Sequence, residues 1–260
     1  TVTTNPNICI GNSAIIQAAG GTSYVWQPGG MTSASVTVSP IATTTYTVTG
    51  TAANGCVKTA TATITVGPTC TGSINIKLYL EGYYVAAGLM DNVLQNQAVA
   101  GATATQTDTI TVELRNSTPP YTLANSIKTI LNTNGTATCN FTTTGTYYLV
   151  VKHRNGLETW SAAPLTIAGV SSPYDFSTAA NKAYGSNQVN LGGGIFGFYV
   201  GDILKDENID LLDQGILDFD ISNFAFGYFA TDMNGDGNVD ILDSPIIENN
   251  VNNFVFSAHP

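Results

Sequence analysis

The 260-residue chain is predicted to be mainly β, with two consecutive β-sandwich domains followed by a small acidic module of two loop–helix repeats. Three observations predict this. Charged residues make up 10% of the chain and hydrophobics 43%, a balance that suits half-buried sheets better than charged helices. Apolar and polar residues alternate with a period of two in many short runs before residue 200. The acids gather at one end: residues 201–260 hold twelve of the eighteen Asp and Glu and a single base, Lys205, whereas residues 1–200 hold six acids and seven Lys or Arg. The net charge of −10 therefore belongs to the last sixty residues. No basic patch exists for nucleic acid or anionic lipid. No secretory leader or membrane-length apolar run occurs, which predicts a mature or trimmed chain without a membrane span.

Residues 1–67 form the first predicted domain. Strands are expected at 13–18, 23–26, 34–38, 44–48 and 59–66, punctuated by Gly20-Gly21, Gly29-Gly30, Pro40 and Asn54-Gly55. Short strands at this spacing argue for a sandwich. The order Cys9, Trp26, Cys56 is that of an immunoglobulin-like core, in which a buried indole packs beside an inter-sheet bridge. Cys9 is expected to pair with Cys56. An even number of widely spaced cysteines, with no CxxC pair and only His153 and His259 as histidines, favours disulfides in an oxidising compartment over zinc.

Residues 68–73 read as a short Pro- and Gly-containing linker, and residues 74–200 as a second β-sandwich. Its strands are expected at 74–79, 107–115, 126–131, 136–141, 145–152, 163–167 and 194–200. The clean alternation from Thr107 to Glu113 marks a sheet with one wet face. Cys70 and Cys139 are candidates to tie the linker to this sandwich, although four cysteines allow three pairings. His153, Arg154, Glu158 and Trp160 suggest a cluster, but a lone His with no nucleophile or second carboxylate makes no triad. The expected reading is a surface turn beside a core Trp. Tyr79, Tyr83 and Tyr84 cannot all face one side of a strand, so some belong to the core. No phosphate-cradling glycine loop and no carboxylate pair suited to glycoside hydrolysis is found, and no enzymatic activity is expected.

Residues 201–260 contain a duplication. Sliding Asp202 onto Asp232 superposes Asp206, Asn208, Asp210, Leu212, Asp213, Ile216, Asn223, Phe224 and Phe226 on identical residues thirty positions on. In residues 232–243, oxygen donors fall at loop positions 1, 3, 5, 7, 9 and 12: Asp232, Asn234, Asp236, the Asn238 carbonyl, Asp240 and Asp243, with Gly237 at the sharp turn. That spacing satisfies a hard cation wanting six to eight oxygens, and calcium is the expected cofactor, one or two ions. The first loop keeps Asp202, Asp206, Asn208, Asp210 and Asp213. Leu204 replaces its third-position ligand and Glu207 its turn glycine, so weaker binding is expected, or completion by an extra water or a neighbouring carboxylate such as Asp218 or Asp220. Short helices are expected at 211–219 and 241–249.

Three resemblances add to this reading. Residues 1–67, with Tyr24-Val-Trp26 and Gly55-Cys56, resemble small Ig-like repeats of secreted Bacteroidota proteins, which implies a spacer or adhesive module. Residues 74–200, through Leu78-Tyr-Leu-Glu-Gly-Tyr-Tyr84, Asp108-Thr-Ile-Thr-Val-Glu-Leu-Arg-Asn116, Val151-Lys-His-Arg-Asn-Gly-Leu-Glu-Thr-Trp-Ser161 and Ala179-Ala-Asn-Lys-Ala-Tyr-Gly185, are similar to a domain near the C-termini of such proteins. The paired loops with Asp at position 12 look like the dockerin module, but the repeat is longer and that family's Ser/Thr partner-reading pairs are not evident. Together these imply an extracellular or cell-surface, calcium-stabilised structural protein. Copies of itself are the expected partner, in a filament, tube or matrix, with the strand-like Thr1-Val-Thr-Thr4 adding to a neighbour's sheet edge. An ancillary docking or carbohydrate-binding region of a larger secreted hydrolase, meeting a surface polysaccharide or cell-surface protein, is the alternative.

Overall fold

The computed structural model describes residues 2–3, 8–9, 12–67 and 71–260. The chain is mainly β and divides into two compact units, Thr1–Cys70 and Thr71–Pro260.

The strands of the first unit are β1 (Val2–Thr3), β2 (Ile8–Cys9), β3 (Ala14–Ala18), β4 (Ser23–Gln27), β5 (Ser35–Val38), β6 (Thr44–Thr51), β7 (Val57–Ile64) and β8 (Val66–Gly67). They form sheets β1-β3-β5 and β4-β6-β7, with a parallel β2–β8 pair. Alternation makes the sandwich. Ala14, Ile16 and Ala18 point inward along β3 and meet Trp26, Tyr46, Val48, Ala62 and Ile64 from the other sheet. Trp26 is fully buried, as expected, and its indole N–H donates to the Ser33 carbonyl at 3.0 Å.

The expected Cys9–Cys56 bridge does not form. Cys9 is disulfide-bonded, but Cys56 is a free thiol. Cys56 sits exposed in the turn between β6 and β7, with its carbonyl accepting from Ala52 N, and so lies off the inward face that an inter-sheet bridge requires. The candidate Cys70–Cys139 bridge is also overturned. Cys139 is a free thiol facing the core of the second unit, where burial pushes its pKa up to about 12; Cys70 lies outside the described residues. Within the expected edge-adding stretch 1–4, Val2 and Thr3 pair with β3 of their own chain, opposite Ala18 and Gln17; Thr1 and Thr4 lie outside the described residues.

The second unit contains β9 (Gly72–Lys77), β10 (Tyr84–Ala86), β11 (Leu89–Met90), α1 (Val93–Asn96), β12 (Gln106–Asn116), β13 (Leu123–Asn132), β14 (Thr136–Phe141), β15 (Gly145–Lys152), β16 (Thr159–Trp160), β17 (Leu165–Ile167), β18 (Gly169–Val170), β19 (Tyr174–Asp175), β20 (Val189–Gly192), β21 (Ile195–Gly197), α2 (Leu211–Ser222) and α3 (Ser244–Asn252). One sheet runs β13-β12-β15-β16, with β17 also on β15; the other runs β14-β9-β18, with β19 also on β9. Ile110, Val112, Leu114, Leu149 and Val151 face Ile74, Ile76, Ala137, Cys139 and Phe141 across the core. Tyr79 and Tyr83 are buried and Tyr84 half-buried, which makes them core residues and not an exposed platform.

Residues 201–260 share that core. Ile209, Leu217, Met233, Val239, Ile247 and Val255 belong to the same buried cluster as the sandwich strands. Helix α2 starts where expected, with Asp210 and Asp213 forming a capping box, and runs three residues further than predicted. Helix α3 starts three residues late, because Pro245 suits the first turn of a helix and not its interior.

Candidate metal loops and the buried turn that seats them

The repeat builds two loop–helix units that exchange their tails. The segment after α2 pairs with the second loop (Val239 N to Ala225 O, 3.0 Å; Gly227 N to Gly237 O, 2.7 Å). The segment after α3 pairs with the first (Ile209 N to Val255 O, 2.9 Å; Ser257 N to Glu207 O, 2.7 Å). Each tail therefore holds the middle of a loop in place.

In loop 232–243 the side-chain oxygens fold the backbone around themselves. Asp232 Oδ1 accepts from Gly235 N at 2.8 Å and its Oδ2 from Gly237 N at 3.0 Å. Asn234 Oδ1 accepts from Asp236 N, Asp236 Oδ1 from Asn238 N, and Asp240 Oδ1 from Leu242 N. Asp243 closes the loop, accepting from Met233 and Asn234 N–H through Oδ1 and from Asp240 N–H through Oδ2. These local turns are what Asx side chains favour. Gly235 and Gly237 supply the left-handed backbone, φ +79° and +91°.

Loop 202–213 repeats the pattern with substitutes. Asp202 Oδ1 accepts from Asp206 N, Asp206 Oδ1 from Asn208 N and Asp210 Oδ1 from Leu212 N, while Asp213 accepts from Ile203, Leu204 and Asp210 N–H. Lys205 and Glu207 hold the two left-handed positions at φ +60° and +72°, a conformation that costs an L-residue about 1–2 kcal/mol. The expected helper Asp220 is committed elsewhere, accepting from Thr231 Oγ1 at 2.7 Å.

Asp232 and Asp243 are fully buried, and neither forms an ion pair with Lys, Arg or His among the described residues. Burial pushes the Asp232 carboxyl up to about 6, the Gly237 N–H opposing and the charge of Asp243 adding. Burial also raises the pKa of Asp243 and Asp202. No three His, Cys, Asp or Glu side chains among the described residues gather into a metal cage by themselves. Loop 232–243 also offers the Asn234 amide and the Asn238 carbonyl, and an all-oxygen set of this kind is the chemistry that a hard cation such as calcium takes.

The turn 153–156, expected on the surface, is buried and seats both loops. His153 and Asn155 are in the interior. Asn155 Nδ2 donates to the Asp232 carbonyl at 3.2 Å, and Tyr83 Oη donates to the same carbonyl at 3.4 Å. Gly201 N donates to the Asn155 carbonyl at 2.7 Å, and Lys205 Nζ donates to the Gly156 carbonyl at 3.0 Å and to the Asp202 carbonyl. The first-ligand residue of each loop is thereby held by a donor tied to, or lying in, one turn. Gln97, just after α1, donates its amide to Asp232 Oδ2. The fit is tight: a Cβ on Gly82 would lie 1.9 Å from the Met233 carbonyl oxygen, and one on Gly235 would lie 2.4 Å from Val93 Cγ2. On the far side of the repeat, Asn250 Nδ2 of α3 donates to Glu81 Oε2 at 2.7 Å and to the Val200 carbonyl at 2.8 Å.

Asp108 supports this seat and carries no motif that would mark it in the sequence. It is fully buried on β12. Its Oδ2 lies 3.0 Å from His153 Nε2 and 2.9 Å from Arg154 Nε, and its Oδ1 accepts from the Tyr228 hydroxyl. Burial opposes its ionisation, but hydrogen bonds from His153 and Tyr228 and the charges beside it hold the carboxyl well below the usual carboxylate range. His153 Nδ1 lies 2.8 Å from Asn155 Oδ1 and Nε2 lies on the Asp108 side. Burial draws its pKa below the usual imidazole value, with the Asp108 carboxylate opposing. Arg154 stacks 4.3 Å from the Tyr228 ring centroid, so the aromatic segment between the loops is tied to the same node.

Glu158 and Trp160 lie apart from this node. Glu158 Oε2 pairs with Lys152 at 2.7 Å and Glu158 Oε1 accepts from the Trp160 indole at 2.6 Å, while Trp160 packs among Tyr121, Tyr148 and His259.

No protein-family model and no curated protein matches the chain. Among solved structures, a chain from the type II cohesin–X-dockerin complex of Acetivibrio cellulolyticus is similar at 14% identity and a TM-score of 0.41, over 70% of this chain and 97% of that one. The major pilin subunit of Bacillus cereus is similar at 12% identity and a TM-score of 0.22, over 53% and 39%. A protein of the Bacteroides ovatus mixed-linkage glucan utilization locus, solved with a mixed-linkage heptasaccharide, is similar at 15% identity and a TM-score of 0.17, over 56% and 50%. Likenesses this distant place the chain in no family.

Proposed function

We propose that this is an extracellular, non-enzymatic structural subunit that assembles with copies of itself, and that calcium locks its last sixty residues, a dockerin-like pair of loops, onto its second sandwich. The observation that carries the reading is the seat of loop 232–243. Its first residue presents a carboxylate to the loop and a backbone carbonyl to Tyr83 and Asn155 of the sandwich. Asp232, Asn234, Asp236, Asp240, Asp243 and the Asn238 carbonyl would hold the ion. Bound calcium supplies the positive charge that the buried Asp232 and Asp243 require, and ordering the loop then orders the joint. Asp202, Asp206, Asn208, Asp210 and Asp213 would hold a second, weaker ion. Millimolar external calcium and the disulfide at Cys9 both suit an oxidising, extracellular setting.

The test is sedimentation and negative-stain electron microscopy of the full chain in calcium and after chelation. Polymers in calcium that fall apart or loosen on chelation are expected. A monomer at every concentration in calcium would overturn self-assembly, and polymers unchanged by complete chelation would overturn the locking role.

A further inference from the structure

Twelve of the twenty exposed large hydrophobic side chains in the described residues lie in the last sixty residues. Four aromatics crowd into residues 224–229: Phe224 at 86% exposed, Phe226 at 78%, Tyr228 and Phe229. Phe224 also holds a left-handed backbone, φ +55°, where a helix usually ends in glycine, and Phe254 repeats this at φ +52°. An aromatic ring held in a strained conformation and turned to solvent does nothing for the isolated fold. Exposed apolar groups gathered in this way mark a contact surface. The segment is presented rigidly, because Tyr228 is tied to Asp108 and Arg154, and the backbone of Ala225 and Gly227 to the second loop.

We propose that residues 224–229 of one copy seat in an apolar groove on the first unit of a second copy, a contact that names the surfaces behind the self-assembly proposed above and rests on that reading. The groove lies between the β1 side of one sheet and β7 of the other, lined by Val2, Ala18, Tyr24, Val57 and Ala60. Its volume of about 610 Å³ falls within the range of roughly 300–1,000 Å³ that seats compact ligands, room for aromatic side chains. Charge favours this occupant. Residues 1–67 contain no acid, and their one charged side chain, Lys58, lines the groove. The aromatic segment follows a helix bearing Asp218 and Asp220, in a region where acids outnumber bases twelve to one, an excess that two bound calcium ions would reduce without reversing. Such a head-to-tail contact uses two different surfaces and therefore propagates into a chain of subunits.

The groove also contains the exposed free thiol of Cys56, which serves as a probe. The full-length Phe226→Cys variant, treated with a short bismaleimide in calcium, is expected to give a ladder of multimers that Cys56→Ser abolishes. The double variant Phe224→Ser/Phe226→Ser, with its calcium-dependent melting unchanged, is expected to need at least about tenfold more protein to assemble. Dimers that persist in the Cys56→Ser background would mean that the aromatic segment meets itself, and would overturn the groove as occupant. Unchanged assembly of the double-Ser variant would overturn this contact while leaving self-assembly standing. A wild-type chain that never leaves the monomer would remove both.

Discussion

Replacing Gly235 with alanine tests the seat at one atom. The added methyl would stand 2.4 Å from Val93 Cγ2 and 2.9 Å from Tyr83 Cδ1, and the backbone at φ +79° would have to carry a side chain. The backbone term is about 1–2 kcal/mol. Overpacking a tight contact adds about 1–3 kcal/mol. The sum, about 2–5 kcal/mol, is a large part of an ordinary folding stability of about 5–15 kcal/mol. Gly101 provides the control: its φ of +82° is nearly the same, but nothing lies within 4 Å of an added Cβ, so Gly101→Ala should show the backbone term alone. Urea unfolding in saturating calcium, following the transition of the second unit, measures both. Gly235→Ala is expected to cost at least about 1 kcal/mol more than Gly101→Ala. Equal costs would refute the claim that loop 232–243 is pressed against Tyr83 and Val93.

Further outcomes follow from the same contacts. Tyr83→Phe removes the hydroxyl that donates to the Asp232 carbonyl and accepts from Asn155 and Arg154, so urea unfolding should show a loss of about 1–3 kcal/mol. Asp108→Asn leaves Arg154 without its carboxylate in the interior and is expected to cost about 3–5 kcal/mol. Because the folded carboxyl of Asp108 is held below its usual value of about 3.9, its contribution is complete above about pH 4 and is lost as pH falls further. Acid titration of stability should therefore show wild type and Asp108→Asn converging below pH 4. Glu207→Gly relieves a left-handed glutamate on the exposed side of the first loop and should raise stability by about 0.5–1 kcal/mol in thermal melts, less if the His259 contact at 3.3 Å contributes.

The parts of the fold visible in the sequence are those set by local rules. Strands 136–141 and 145–152 fall where alternation and the flanking turn residues place them, and Asp210 announces α2 because a capping box needs only neighbours. Loop 232–243 is legible for the same reason, since its ligand spacing is local. What escaped depends on long-range packing. The turn 153–156 has a polar sequence, and it is buried because two loops some fifty and eighty residues away bring the Lys205 ammonium and the Asp232 carbonyl to satisfy it. Asp108 looks like one polar residue in an alternating strand; only the folded chain brings His153, Arg154 and Tyr228 around it. The cysteine pairing failed because order along the chain says nothing of which way a turn residue points, and Cys56 points out. The exposed aromatics Phe224 and Phe226 were present in the duplication, which repeats them, but periodicity alone does not separate an exposed aromatic from a core one.

Hydrogen exchange followed by mass spectrometry, with and without calcium, tests the locking of loop to sandwich most directly. Calcium is expected to slow exchange in residues 232–243 and also, with the same calcium dependence, in the turn 153–156 and residues 81–97 that hold the loop. Protection confined to the loop, or no protection anywhere, would contradict a calcium-clamped joint.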